Sequence, residues 1–313
     1  MSSISATPSA GHALRPGAIA LMLMLCLSWG FNQIAVKLVL ADVPPMLQAL
    51  SRSAGALPVI LAIGLFRGVK FFERDGTLWA GLCNGLIFGI EFVLIYQGLL
   101  YTTATRAVVF LYTAPFFVAL GSYVFLGERL RSSQWAGLAL SFAGVAVAIG
   151  VPQADVDARV LAGDLLIVAG GLLWAATTLI VKATPLIRAP AEKGLGYQVA
   201  VSIPIFILAA WLRDERITHV PSALSLSLLA YQAFWVVGLT FTLWIALVKI
   251  YSASKLSAFT FITPLFGVAA GHFIMKDTLT LAFGAAALLV IAGLYLVNRP
   301  ESARAEVAPD PNV

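Results

Sequence analysis

Ten apolar stretches, each close to the ~20 residues a helix needs to cross hydrocarbon, dominate this chain and leave few folds open to it. They fall at 18–38, 46–66, 77–97, 103–124 and 133–151, then at 162–183, 194–212, 222–247, 254–275 and 279–297. Each run is continuous, whereas membrane β-strands alternate and are about half as long, so the expected fold is an all-α polytopic membrane protein. Composition agrees: 60% of residues are hydrophobic and 11% charged, at a mean hydropathy of +0.93. A soluble domain carries roughly 25% charged residues. The net charge of +5 is scattered between apolar blocks rather than gathered in a stripe, which argues against a nucleic-acid partner and for lipid.

Short connections rich in turn formers separate the runs, as at Asp42-Val43-Pro44-Pro45 and Glu73-Arg74-Asp75-Gly76. Residues 1–17 and 298–313 read as tails. The first tail is too poor in basic residues for a cleaved signal, so the first span is expected to be retained. Placing both ends in the cytoplasm puts Arg15, Arg67, Lys70, Arg74, Arg129, Arg131, Lys182, Arg188, Lys193, Lys249 and Lys255 on inner flanks. Only Arg159, Arg213, Arg216 and Lys276 fall outside. The positive-inside bias therefore favours cytoplasmic termini.

The chain also repeats itself. Ser28–Lys37 reads SWGFNQIAVK, and Leu173–Lys182 reads LWAATTLIVK, again with tryptophan a little over two turns ahead of lysine. Pro115 in TAPFF returns as Pro264 in ITPLF, and Glu128-Arg129-Leu130 returns as Asp277-Thr278-Leu279. Matches in one order at nearly the same offset indicate a unit of about 150 residues written twice. The repeats are expected at 18–151 and 162–297, joined by a linker at 152–161. An odd number of spans per unit makes the second copy enter from the opposite face. Inverted repeats of this kind build the two half-channels of many secondary transporters around a midplane site. Duplication that merely enlarged a bundle is the competing reading.

Polar groups at mid-span are costly in lipid unless they face protein or water, so they mark candidate sites. In the first helix Trp29, Asn32 and Gln33 offer amides beside an aromatic wall. In the third, Asn84, Phe88 and Glu91 share a stripe, while Gly81, Gly85 and Gly89 form a separate ridge suited to close helix packing. Glu91 reads as the one carboxylate clearly inside a span, fit to bind a proton, an ammonium group, or Arg52 or Arg106. Those arginines also match a carboxylate, although both, like Lys37, are near enough to a surface to snorkel. Tyr96 and Tyr112 add hydroxyls. Trp174 and Thr178 echo the first helix, and Gln232 and Trp235 lie one turn apart in the eighth; Trp244 reads as an interfacial anchor. Interhelical hydrogen bonding and packing explain the same residues equally well.

Pro115 and Pro264 each remove a helical hydrogen bond and are candidate hinges or packing kinks. Cys26 and Cys83 lie in spans and fit no metal pattern, and no metal or cofactor is implied. Phosphate loops, dinucleotide fingerprints and nucleophile elbows are missing from the sequence, so neither an enzyme nor an ATP-driven pump is expected.

The SWG opening, the AP and TP helices, the acidic residue following each, and the ten-span duplication together resemble the drug/metabolite transporter superfamily. Within it the chain is most similar to EamA-type exporters, and among these to the YddG-type exporters of aromatic amino acids. The resemblance spans roughly residues 18–297. It implies a basket of two inverted five-helix repeats, with the fifth and tenth helices set apart from the cavity. It also implies efflux of aromatic and other amino acids across a bacterial inner membrane by alternating access. Glycine ridges serve internal and intersubunit packing alike, so a monomer and a homodimer both fit the sequence. That resemblance favours Asn32, Asn84, Glu91, Tyr112, Trp174, Gln232 and Trp235 as cavity residues over Arg52. The sequence shows no obvious central basic residue for a substrate carboxylate. Export of another metabolite or drug, a channel, and a non-transport membrane assembly module are the alternatives.

Overall fold

The computed structural model describes residues 14–102, 104–149, 157–275 and 281–299. The outer parts of both tails, the linker through residue 156 and the Asp277-Thr278-Leu279 flank lie outside the described residues. Every regular element within them is helical. In the first half these are α1 (Pro16–Val39), α2 (Pro45–Phe66), α3 (Leu78–Leu99), α4 (Ala104–Leu111), α5 (Ala114–Leu126) and α6 (Ser132–Ile149). The second half holds α7 (Ala158–Ala183), α8 (Ala191–Leu212), α9 (Ala223–Ala230), α10 (Phe241–Ile250), α11 (Ala253–Phe259), α12 (Thr263–Met275) and α13 (Leu281–Asn298).

Nine stretches among the described residues are long and apolar enough to cross a membrane. The remaining expected span is α6, which lies along α13. Large apolar side chains cover the outside of the bundle, among them Leu27, Phe125, Trp211 and Leu288. A surface of this kind needs lipid as its solvent, and the protein is an all-α, multi-pass membrane protein.

Two expected spans are broken in the same manner. The fourth divides into α4 and α5 at Tyr112 and Thr113, with Pro115 in the first turn of α5. The ninth runs as α11, a 3₁₀ turn at Thr260–Ile262, and α12, with Pro264 in the first turn of α12. Proline tolerates a first helical turn because its missing N–H is unsatisfied there in any case. The two prolines therefore start new helical pieces instead of bending continuous ones. A π-helical segment, Tyr231–Thr240, joins α9 to α10, and sequence periodicity gave no sign of it.

Helix ends are closed locally. Asp157, Ser222 and Ser252 cap α7, α9 and α11 through their side chains. Gly127 ends α5 at φ 67°, where the left-handed turn lets the Glu128 N–H reach back to the Ser122 carbonyl at 3.1 Å.

The halves interlock. Helix α1 packs on α12 and α7 on α5; α3 packs on α8, and α2 on the π segment; α2 meets α8, and α6 meets α13. Exchanging the halves turns the first contact into the second and the third into the fourth, and returns α2–α8 and α6–α13 to themselves. The glycine ridge of α3 supplies one seam: Gly81 faces the Tyr197 ring, Gly85 the Tyr197 carbonyl and Val201, and Gly89 faces Ile205. The α6–α13 pair stands to one side of the remaining helices, joined through Gly137, Gly144 and Gly293.

Candidate functional site: a cavity between the two halves

A cavity of about 640 Å³ lies between the halves, within the usual size range for small-molecule sites. One wall is α1, which presents Trp29, Asn32, Gln33 and, towards the mouth, Lys37 and Leu40. Facing it, α3 lines the cavity with Phe88, Glu91, Phe92, Ile95, Tyr96 and Leu99, the three- and four-residue spacing of one helix face. Helix α7 adds Ile167, Trp174, Thr177, Thr178 and Val181, and Tyr112 closes the break after α4. From the other side come Phe241, Trp244 and Val248, with Pro264, Gly267 and Gly271 of α12.

The cavity therefore extends from the helix ends near Leu40 and Leu99 down to Val181 and Val248. On that second face ion pairs and hydrogen bonds draw the helices together. Lys182 donates to Glu128 at 2.7 Å and to the Tyr251 carbonyl at 2.6 Å. Lys193 donates to Asp75 at 2.8 Å, Arg67 pairs with Glu192, and Lys249 donates to the Ala189 carbonyl. The hydrogen bond from Lys193, helped by Thr77, holds the Asp75 carboxyl well below the usual carboxylate range. Burial alone would raise Glu128, but Lys182, Ser252 and Ser254 outweigh it and leave that carboxyl depressed.

The aromatic wall is continuous. Trp29 meets the Trp244 ring edge-on at 5.7 Å and Phe241 at 6.2 Å, while Trp174 meets Trp244 at 6.2 Å. Phe241 in turn touches Phe88 at 6.3 Å. The two tryptophans of the sequence echo thus converge on a third. Trp29 is fixed by an Nε1 hydrogen bond to Thr240 Oγ1 at 2.9 Å, and Ser28 anchors the π segment beside it. Its carbonyl accepts from the Tyr231 hydroxyl at 2.9 Å and its hydroxyl from Trp235 Nε1 at 3.0 Å.

Of the residues singled out from the sequence, Trp29, Asn32, Gln33, Phe88, Glu91, Tyr96, Tyr112, Trp174, Thr178 and Pro264 line this cavity. Asn84 and Gln232 are fully buried outside its lining, and none of their amide atoms has a hydrogen-bond partner among the described residues. Trp235 is 40% exposed and bound to Ser28, away from the cavity, and Pro115 is buried at the start of α5.

Three readings change. Arg52 does not snorkel: it is 5% exposed, lines the cavity, donates to Tyr96 Oη at 3.2 Å and lies over the Phe92 ring at 5.0 Å. Arg106 is committed to Asp164, a buried carboxylate of α7 that also accepts from Thr102 at 2.6 Å. Glu91 is consequently not the one carboxylate inside a span. Trp244 and Phe241, missed as site residues, are central to the wall. A signal existed for Phe241, since the offset that carries Pro115 onto Pro264 carries Phe92 onto Phe241.

No group of three or more potential metal ligands occurs among the described residues. The EamA-like transporter family matches residues 16–150 and again residues 161–299. The chain is 28% identical to the transporter YvbV of Bacillus subtilis, over 92% of this chain and 93% of that protein. It is 30% identical to a probable amino-acid metabolite efflux pump of Salmonella typhimurium, over 88% and 93% of the two chains. A solved crystal structure superposes with a TM-score of 0.77 at 21% identity, over 90% of this chain and 96% of that one, a likeness of fold alone. The chain is therefore a membrane transporter, not an enzyme, and belongs to the EamA-like transporter family.

Proposed function

We propose that this chain exports aromatic amino acids from the bacterial cytoplasm across the inner membrane by alternating access. The observation that carries the reading is the cavity wall of Trp29, Trp174 and Trp244, which offers ring faces and edges to a planar side chain beside the amides of Asn32 and Gln33. The Salmonella relative, named as an amino-acid metabolite efflux pump, supports the substrate class, as does the resemblance to YddG-type exporters.

The double family match and the exchange of contacts between halves support inverted repeats at 18–151 and 162–297. With both termini cytoplasmic, the face held by Glu128–Lys182 and Asp75–Lys193 is the inner one, and the cavity opens outward. Export proceeds by rocking of the repeats, with the helix starts at Pro115 and Pro264 as hinges, so that the inner contacts part as the outer mouth closes. Trp29, Gln33, Phe88, Trp174 and Thr178, which line the cavity, are the proposed substrate contacts.

The test is counterflow of labelled phenylalanine into proteoliposomes preloaded with unlabelled phenylalanine. Saturable uptake, competed by tyrosine and tryptophan, is expected. No uptake by folded protein overturns the substrate assignment, while uptake that neither saturates nor depends on counter-substrate indicates a channel.

A further inference from the structure

Arg52 of α2 and Glu91 of α3 are 5% and 4% exposed, and both line the cavity. Arg52 lies about 10 Å along its helix from Pro45, and Glu91 about 12 Å along its own from Leu99, so a guanidinium and a carboxyl group stand at similar depth below the same helix ends. Among the described residues they form no ion pair with each other, and no other ion pair occupies either one. One Nη of Arg52 reaches Tyr96 Oη, whereas its Nε has no partner among the described residues; Glu91 closes no hydrogen bond with any of them, and its Oε2 is buried without one.

Charges buried in a membrane are retained at high cost unless something satisfies them. The contrast with Arg106 is informative. That side chain, in the first turn of the neighbouring α4, is paired with Asp164, whose carboxylate also accepts from Thr102. Arg52 and Glu91 both line the cavity, and neither is closed in that way by a neighbouring helix.

We propose that Arg52 and Glu91 form a zwitterion clamp: the guanidinium takes a carboxylate, supported by the Tyr96 hydroxyl, and the Glu91 carboxylate takes an ammonium group. The ligand class is a free α-amino acid with both groups unmodified. Guanidinium forks match carboxylates in plane, and an ammonium group supplies donors that a carboxylate oxygen lacks. Phe92, stacked on Arg52, holds the guanidinium plane. The clamp supplies the central basic group that the sequence did not reveal. It rests on the proposed transport of amino acids but not on their being aromatic.

The experiment measures binding of labelled phenylalanine and labelled leucine to the purified full-length protein, with four competitors. Phenylalanine is the reference. Phenethylamine lacks the carboxylate, 3-phenylpropionate lacks the ammonium group, and phenylalanine amide has its carboxylate masked. Wild type is expected to bind each analogue at least ~10-fold more weakly than phenylalanine, the scale of a lost charge-assisted bond. Arg52→Gln should weaken phenylalanine ~10-fold or more while leaving phenethylamine unchanged, and Glu91→Gln should weaken phenylalanine while leaving 3-phenylpropionate unchanged. Arg52→Lys, which keeps the charge but not the fork, should recover part of the loss.

Analogues that compete within about threefold of phenylalanine in wild type overturn the clamp, leaving aromatic transport standing. So do variants that weaken zwitterion and truncated analogue alike, which is the behaviour of a purely structural pair. Should Arg52→Gln fail to fold, the wild-type competition and Arg52→Lys decide the matter. If leucine binds and is weakened ~10-fold by both Arg52→Gln and Glu91→Gln while phenylalanine does not bind, the aromatic assignment fails and the clamp stands. If neither amino acid binds, both fail.

Discussion

The Glu128 carboxylate accepts the Lys182 ammonium at 2.7 Å through one oxygen, and the Ser252 and Ser254 hydroxyls at 2.8 and 3.2 Å through the other. Three separate pieces of chain meet at this carboxylate: the end of α5, the end of α7 and the joint between α10 and α11. Because α5 belongs to the first half and the others to the second, the contact has to break if the halves part on this face. Glu128→Gln removes the charge while keeping the shape. Both side chains are partly exposed, so the loss should amount to about 1–3 kcal/mol, less than for a fully buried pair. A thiol placed at Val181, at the base of the cavity, reports the change in a background with Cys26 and Cys83 replaced. Labelling from the cytoplasmic face by an impermeant maleimide should rise several-fold in Glu128→Gln. Unchanged labelling would show that this contact does not hold the inner face shut.

The same face should have a defined acid limit. Asp75 and Glu128 are both depressed in the folded protein, Asp75 chiefly by Lys193, and Glu128 by Lys182 and the serines against an opposing burial effect. A depressed carboxyl contributes stability that is complete above its unfolded pKa, near 4, and is lost as pH falls through its lower folded pKa. Melting temperature attributable to these pairs should stay level from pH 7 to about 5 and fall below about 4. Asp75→Asn should lower the plateau and flatten the acid slope. A slope already present between pH 7 and 5 in wild type, and absent in Asp75→Asn, would contradict the assignment.

These two contacts bear on what the sequence could show. The spans were legible because ~20 apolar residues admit little but a membrane helix, and the prolines located both breaks. Trp29 and Trp174 could be found through the repeat. Arg52 could not. A single cation a few turns from a helix end reads as snorkelling, and its inward aim is set by Tyr96 and Phe92 on another helix. Asp164 shares that difficulty, since only its contacts with Arg106 and Thr102 reveal burial. Trp235 was expected beside Gln232 in the cavity on regular helical phase. The widened turns of Tyr231–Thr240 change that phase and deliver Trp235 to Ser28 instead.

Close approach of α3 to α8 depends on Gly85. A Cβ there would stand 2.5 Å from the Tyr197 carbonyl oxygen and 2.7 Å from Val201 Cβ, so the backbone itself must move to admit one. Gly85→Ala should destabilise the fold by about 1–3 kcal/mol, the usual cost of overpacking. Gly284→Ala is the control, because a Cβ at Gly284 meets nothing within 4 Å. Unfolding in mixed micelles should separate the two variants. Equal stabilities would mean that α8 yields freely and that the ridge does not fix the spacing.

Trp29 and Trp174 touch the same partner, but the consequences of removing them should differ. Trp29 donates to Thr240 at 2.9 Å while leaning on Trp244, so it ties α1 to the π segment as well as lining the cavity. Trp174 has its ring tilted 35° to Trp244 at 6.2 Å, and no hydrogen bond of its indole nitrogen accompanies that contact. Trp29→Phe keeps an aromatic ring but leaves Thr240 without its donor, and should cost about 1 kcal/mol in stability with little change in affinity for phenylalanine. Trp174→Ala removes ring area from the wall and should weaken phenylalanine about 10-fold while leaving alanine nearly unaffected, since only the larger side chain reaches that ring. Equilibrium binding of both amino acids, with melting temperatures of both variants, tests the division. If Trp174→Ala weakens alanine and phenylalanine equally, Trp174 supports the cavity's shape without selecting its occupant, and selectivity must be sought at Trp29 and Trp244.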